Sequence, residues 1–261
     1  MLRKICTFVA LVTIHSLTSA NDQIEARLEF FPAANAKGSV IVSPAGGCEK
    51  NESLISAILN AKFNAVRIDH CTGRIRSNWR VTRITTLGSV PDGALLSDYV
   101  DTISWLKKEG HGDSTVVLLG QAQSGGIINR IAYAKSLESL GIKEKVEIDA
   151  FKSVAGFIVY YPFCALGRVP PVASKPYLGF FAGKDDFDNP YYGCQVTKPT
   201  VAGAREYVVY PDAKHGFDNE YYVDNKKLIG RTKAKNNFTI EYSKADAEAS
   251  AMRLKEFLNS F

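Results

Sequence analysis

The stretch that most constrains this chain runs Val116-Val117-Leu118-Leu119-Gly120-Gln121-Ala122-Gln123-Ser124-Gly125-Gly126-Ile127-Ile128. An apolar run of strand character stops among small and polar residues, and an amphipathic helix begins at once. A strand that turns directly into a helix packs closely only where small residues separate the two. Ser124 sits in that turn, with Ala122 two residues before it and Gly126 two after. The pattern A-x-S-x-G fits a sharp strand-to-helix turn that lifts a serine hydroxyl above a sheet, the arrangement called a nucleophile elbow.

The same strand-then-helix order recurs along the chain. Residues 26–31 read as an edge strand and 39–43 as a short apolar strand. The latter runs into the small-residue loop Pro44-Ala45-Gly46-Gly47-Cys48. A helix with Leu54, Ile58 and Ala61 on one face follows, then a strand over 64–69 and a long irregular segment over 70–92. That segment holds Arg74, Arg76, Arg80 and Arg83 around Trp79. Leu96, Tyr99, Val100, Ile103 and Leu106 recur with helical period over 94–108, and Gly110 ends that helix. Further strands are expected over 154–160, 177–182 and 206–210, while 223–242 is basic and unpatterned. Ser243 with Asp246 caps a last helix whose stripe is Ala247, Ala251, Leu254, Leu258 and Phe261. This alternation predicts one α/β domain over 21–261, a mostly parallel sheet with helices on both faces. In such sheets the loops after the strand C-termini gather along one edge, where sites are built.

Residues 1–20 stand apart. Met1-Leu2-Arg3-Lys4 is basic, residues 5–17 are apolar, and Thr18-Ser19-Ala20 are small. This is the pattern of a cleaved secretory signal, and the apolar run is shorter than the ~20 residues that span a bilayer. The mature protein is therefore expected to begin near Asn21 and to be exported without stable membrane insertion. Its net charge of +5 is mild, with the basic residues dispersed among 27 acidic ones, a balance that does not suggest nucleic-acid binding. Cys6 leaves with the signal. Cys48, Cys71, Cys164 and Cys194 remain, an even number that favours disulfides in an oxidising compartment and allows three pairings.

A serine hydroxyl needs an adjacent base to become nucleophilic. With His15 in the leader, the candidates are His70, His111 and His215. His111 lies between a helix and the start of a strand, and hence on the opposite sheet edge. His70 lies in the arginine-rich segment and precedes the serine. His215 follows the last strand, and the order Ser, Asp, His is one used for catalytic triads on parallel sheets. The orienting acid is Asp185 or Asp186, with Asp188 a third candidate. Three aspartates in one loop could bind a hard cation, but Lys184 among them argues against it. Oxyanion donors are expected from the backbone amides of Gly125, after the serine, and Gly46, in the first glycine loop.

With these pieces in place, the mature chain resembles the dienelactone hydrolase family of α/β-hydrolases over nearly all of its length. The resemblance rests on Pro44-Ala45-Gly46-Gly47-Cys48, Asp69-His70-Cys71-Thr72-Gly73-Arg74, the Ser124 turn and Tyr161-Pro162-Phe163-Cys164. It continues through Gly183-Lys184-Asp185-Asp186-Phe187-Asp188-Asn189-Pro190-Tyr191-Tyr192-Gly193-Cys194 and Tyr210-Pro211-Asp212-Ala213-Lys214-His215-Gly216-Phe217. In relatives the acid lies three residues after the glycine, which implies Asp186. The family's name-giving enzymes use a cysteine nucleophile where Ser124 stands, and their His-Gly of the oxyanion loop is Pro44-Ala45 here. Relatives also carry cysteines like Cys164 and Cys194, which implies the pair Cys164–Cys194. Cys48 and Cys71 likewise follow two successive strands, for a second pair Cys48–Cys71.

The expectation that results is an α/β-hydrolase fold carrying a Ser124–Asp186–His215 triad that cleaves a carboxylic ester, lactone or thioester through an acyl-enzyme. No metal or organic cofactor is called for. The alternatives are a non-catalytic binding protein of the same fold and an acyltransferase using the same triad.

Overall fold

The computed structural model describes residues 24–45, 48–72, 77–79, 87–112, 114–133, 137–163, 173, 175–186, 200–202, 204–222, 228–230 and 238–261. An eight-stranded sheet runs through its centre. Its strands are β1 (Leu28–Phe31), β2 (Gly38–Ser43), β3 (Phe63–Ile68), β6 (Thr115–Gln121), β7 (Gly156–Tyr160), β8 (Tyr177–Ala182), β9 (Thr200–Ala202) and β10 (Arg205–Tyr210). Their order across the sheet is β1-β3-β2-β6-β7-β8-β10-β9. The six central strands are parallel, while β1 and β9 pair antiparallel at the two edges. Two small antiparallel ribbons lie outside the sheet, β4 (Ser77–Trp79) with β5 (Leu87–Ser89) and β11 (Leu228–Gly230) with β12 (Phe238–Ile240). The second occupies part of the segment that carries no pattern in the sequence.

Strands buried on both faces read as continuous apolar runs, and every residue of β2 and β3 is buried. Helices α1 (Glu52–Asn60) and α5 (Lys244–Asn259) cover one face, where Val40, Val42, Phe63, Leu119, Phe180 and Leu254 form one core. On the other face α2 (Asp92–Lys108), α3 (Ala122–Tyr133) and α4 (Lys145–Ser153) close a second core. It includes Ile41, Val66, Tyr99, Leu118, Ile128 and Phe157. Alternate residues of one strand thus feed different cores, as the two-residue period requires. Asn51 caps α1 and Ser243 caps α5, each accepting a backbone N–H of the first turn. Helix α4, whose buried residues are only Ala150 and Phe151, has too narrow a stripe to stand out in the sequence.

The connections decide where a site can form. After β2 the chain moves to β3 on one side, and β6 then takes its place on the other side of β2. Helix α1, after β2, and helix α3, after β6, lie on opposite faces of the sheet. The crevice between the ends of β2 and β6 is therefore the switch point at which open parallel sheets take ligands.

Candidate functional site

The turn after β6 is built by close approach. Strand β6 ends at Gln121 and α3 begins at Ala122, with no residue between them. Gly120 lies under the first turn of the helix, where a Cβ would meet Gly125 N and Ser124 C at 2.7 Å. Only glycine lets the helix cross the strand there. The residue that absorbs the reversal is Ala122, at φ +48. A left-handed backbone at a non-glycine position is strained, and such strain is characteristic of the residue at the apex of an elbow.

This corrects the placement of Ser124. The apex two residues after Gly120 is Ala122, so the turn reads Gly120-x-Ala122-x-Ser124, with a methyl group at the apex. Ser124 lies in the first turn of α3, 1% exposed, and its hydroxyl donates to the Pro44 carbonyl at 2.8 Å. The cue was present in the sequence: Gly120 supplies the small residue that an elbow needs two positions before its apex. Gly125, the expected oxyanion donor, is buried against Gly120 and Pro162 rather than at the apex. Among the unpaired first-turn amides of α3, the one directly after the apex belongs to Gln123. Gly46 lies outside the described residues.

The histidine and its acid do come together. A turn after β8, pinned to the end of β10 by Gly183 N–H to Tyr210 O and Lys184 N–H to Ala213 O, carries Asp185 to His215. Asp185 Oδ2 lies 2.8 Å from His215 Nδ1. Asp186, the residue implied by the family resemblance, instead accepts the Thr239 N–H at 2.7 Å and lies 3.9 Å from Lys214 Nζ. Of the two neighbours, Asp185 is the one hydrogen-bonded to the imidazole. Asp188 lies outside the described residues.

His215 packs its ring 4.5 Å from that of Tyr161, with Phe163 beyond. Behind it is a polar cage that sequence patterning does not reveal. The carboxylate of Asp218 accepts from Tyr161 Oη at 2.7 Å, Gln121 Nε2 at 2.9 Å and Asn51 Nδ2 at 3.0 Å. Burial pushes the Asp218 carboxyl up to about 6, against the stabilising hydrogen bonds from Tyr161, the backbone, Gln121 and Asn51. The cage joins the ends of β6, β7 and β10 and sets the loop from which His215 projects.

Cys48 and Cys71 form a disulfide with a Cα–Cα distance of 6.2 Å, as expected. It ties the loop after β2 to the loop after β3. Cys164 and Cys194 lie outside the described residues. Among the described residues, the ligand-type atoms that gather within 4.8 Å are those of Cys48, Asp69 and Cys71, but the two sulfurs are bonded to each other and offer no thiolate to a metal. No helix among the described residues is long and apolar enough to cross a membrane.

The parallel sheet with its order reversal between β2 and β6, the elbow after β6, and a carboxylate and histidine after β8 and β10 define an α/β-hydrolase fold. Solved structures of that fold align along most of the chain. Apo esterase 2 of Thermogutta terrifontis is 14% identical with a TM-score of 0.52, covering 89% of this chain and 88% of its own. The same esterase phosphoramylated by tabun is 15% identical with a TM-score of 0.53 over the same shares. A soluble variant of the Saccharomyces cerevisiae monoglyceride lipase, in complex with a substrate analogue, is 10% identical with a TM-score of 0.52, covering 89% and 91%. No protein-family model and no curated protein sequence matches the chain.

Proposed function

We propose that this protein is an exported ester-recognising member of the α/β-hydrolase fold whose elbow cleft binds a small carboxylic ester, lactone or thioester without forming an acyl-enzyme at the turn. The observation that carries this reading is Ala122 at φ +48 on the apex. An acyl-enzyme needs an oxygen or sulfur nucleophile at that position, and a methyl group has none. His215 with Asp185 remains at the rim, where the pair can hydrogen-bond a carbonyl or a bound water. The amide of Gln123 is the donor that fits such a carbonyl. The ester class rests on the fold, which the Thermogutta esterase and the yeast lipase share, and on the dienelactone hydrolase resemblance. Export rests on residues 1–20 and agrees with the Cys48–Cys71 bond.

The second reading is a serine hydrolase, or an acyltransferase, working through Ser124, His215 and an aspartate. It is favoured by the position of Ser124 two residues from the apex and by the intact His215–Asp185 pair. Against it stands the Ser124 hydroxyl, which is turned to Pro44 on the β2 side of β6 while His215 lies on the β7 side beside Tyr161.

Labelling with a fluorophosphonate probe separates the two. The first reading expects no adduct on Ser124, the same result in Ser124→Ala, and a new adduct at position 122 in Ala122→Ser. An adduct on Ser124 of the unsubstituted protein overturns it.

A further inference from the structure

Two residues with left-handed backbones stand side by side at the edge of the sheet. Gln121 of β6 and Tyr160 of β7 are paired in register, and the residue after each is reversed, Ala122 at φ +48 and Tyr161 at φ +35. The crossing of α3 over Gly120 accounts for the first. For a residue as bulky as tyrosine such a backbone is an outlier, one that persists only where its surroundings over-determine it. Here Tyr161 N–H donates to Phe180 O at 2.7 Å, and Phe163 N–H donates to the carbonyl of Ala122 at 3.1 Å. The reversal after β7 is thus tied both to β8 and to the elbow.

The Tyr161 side chain meets the His215 loop at two points. Its ring lies 4.5 Å from the imidazole, tilted by 57°. Its hydroxyl donates at 2.7 Å to Asp218 Oδ1, on the same loop as His215, and accepts at 3.0 Å from Nε2 of Gln121, the residue before the apex. Phe217, from the same loop, packs on the ring at 5.7 Å. Tyr161 is buried, 4% exposed, so it gives the rim support and not contact with a ligand. A hydrogen bond from His215 Nδ1 to Asp185 fixes one atom of the imidazole, but the ring plane can still turn about that atom. A second ring set against its face, and itself held by hydrogen bonds, removes this freedom.

We propose that Tyr161 is a positioning residue for His215: its ring holds the imidazole in the plane that keeps Nδ1 on Asp185, while Gln121 and Asp218 hold the ring through its hydroxyl. The role rests on the reading of His215 with Asp185 as the ligand-facing pair. It also joins that pair to the elbow, through Gln121. A neutral imidazole whose Nδ1–H is kept on a carboxylate presents Nε2 as an acceptor, the form that receives a hydrogen bond from a bound water. When the ring turns off Asp185, the Nε2–H tautomer gains population and that acceptor is lost.

The test is nitrogen-15 NMR of the histidine side chains in the full, ligand-free chain at about pH 8.5, where an ordinary imidazole is neutral. The His215 signals are assigned by their loss in His215→Gln. The unsubstituted chain is expected to hold His215 almost wholly as the Nδ1–H tautomer. Tyr161→Leu removes ring and hydroxyl and should raise the Nε2–H share at least about threefold. Tyr161→Phe keeps the ring but releases its tether, and should raise the share by less. A tyrosine that only fills the core would cost both variants thermal stability and leave the tautomers as they were. An unchanged share in either variant, with circular dichroism retained, therefore overturns the proposal. If Tyr161→Leu does not fold, Tyr161→Phe decides by the same signals. The readout needs no ligand, so a failure to bind esters overturns the proposed function and not this role of Tyr161.

Discussion

His70–Asp98 and His215–Asp185 are the same two side chains joined through the same atoms, set in different surroundings. The first pair is closed off between sheet and helix, with side chains 1% and 0% exposed, and Arg27 and Ser43 complete its hydrogen bonds. The second sits at the rim, with side chains 5% and 18% exposed, one face of its imidazole against Tyr161. Burial makes the first pair dependent on every partner, because an ion left alone in the core has no water to turn to. Partial exposure makes the second tolerant of change and open to a ligand. A serine is part of the inaccessible row, Ser43 on His70, whereas the neighbours of the accessible imidazole are Asp185, Tyr161 and Phe163.

Ala122→Ser should break this contrast most. A hydroxyl on the strained apex, with His215 as its base, is expected to raise fluorophosphonate labelling by about 10²-fold or more, read by adduct mass at position 122. An unreactive, folded variant would show that His215 does not serve the apex.

The next largest effect separates the two acids. Asp98→Ala strands Arg27 and His70 in the core and should cost about 3–5 kcal/mol, a fall of roughly 10 °C in Tm for a domain of this size. Asp185→Ala at the rim should cost about 1 kcal/mol or less. Equal losses in thermal melts would end the distinction.

The Asp218 cage next to His215 gives a pH test. Its carboxyl holds a proton more tightly in the folded chain than at the ordinary value of 3.8. Its contribution is therefore fully present below about pH 4 and lost as pH rises through about 6, by roughly 3 kcal/mol. Asp218→Asn removes this proton, and urea midpoints of the variant should fall less between pH 4 and 6 than those of the unsubstituted chain. A variant with the same slope would place the titration elsewhere.

Ser124→Ala should change least. The loss of one buried hydrogen bond to Pro44 costs about 1 kcal/mol, without any change in probe labelling.

Much of the fold is legible in the residues because its causes are local. Apolar runs at 39–43, 154–160 and 177–182 mark parallel strands because both their faces are buried. The 3.6-residue period of α2 shows because only one side of a helix meets the sheet. Asp98 and Thr102 interrupt that stripe on its buried side, and this was the available sign of an inward-facing carboxylate. The disulfide Cys48–Cys71 was anticipated because loops after neighbouring parallel strands end side by side. The choice between Asp185 and Asp186 was not legible, since two adjacent aspartates offer the same chemistry and only the fold sets which meets His215.

By itself, then, the sequence determined an α/β sheet with a strand-to-helix turn around Ser124 and a histidine and aspartates at strand ends. Which residue takes the apex was decided only in three dimensions, by the point at which α3 crosses Gly120. Tertiary structure likewise set Asp185 against His215 and brought His70 to Asp98, 28 positions along the chain. The physical reason is range. Periodicity and turn chemistry act over a few residues, whereas hydrogen bonds between strand ends depend on register and on helix packing across the whole sheet.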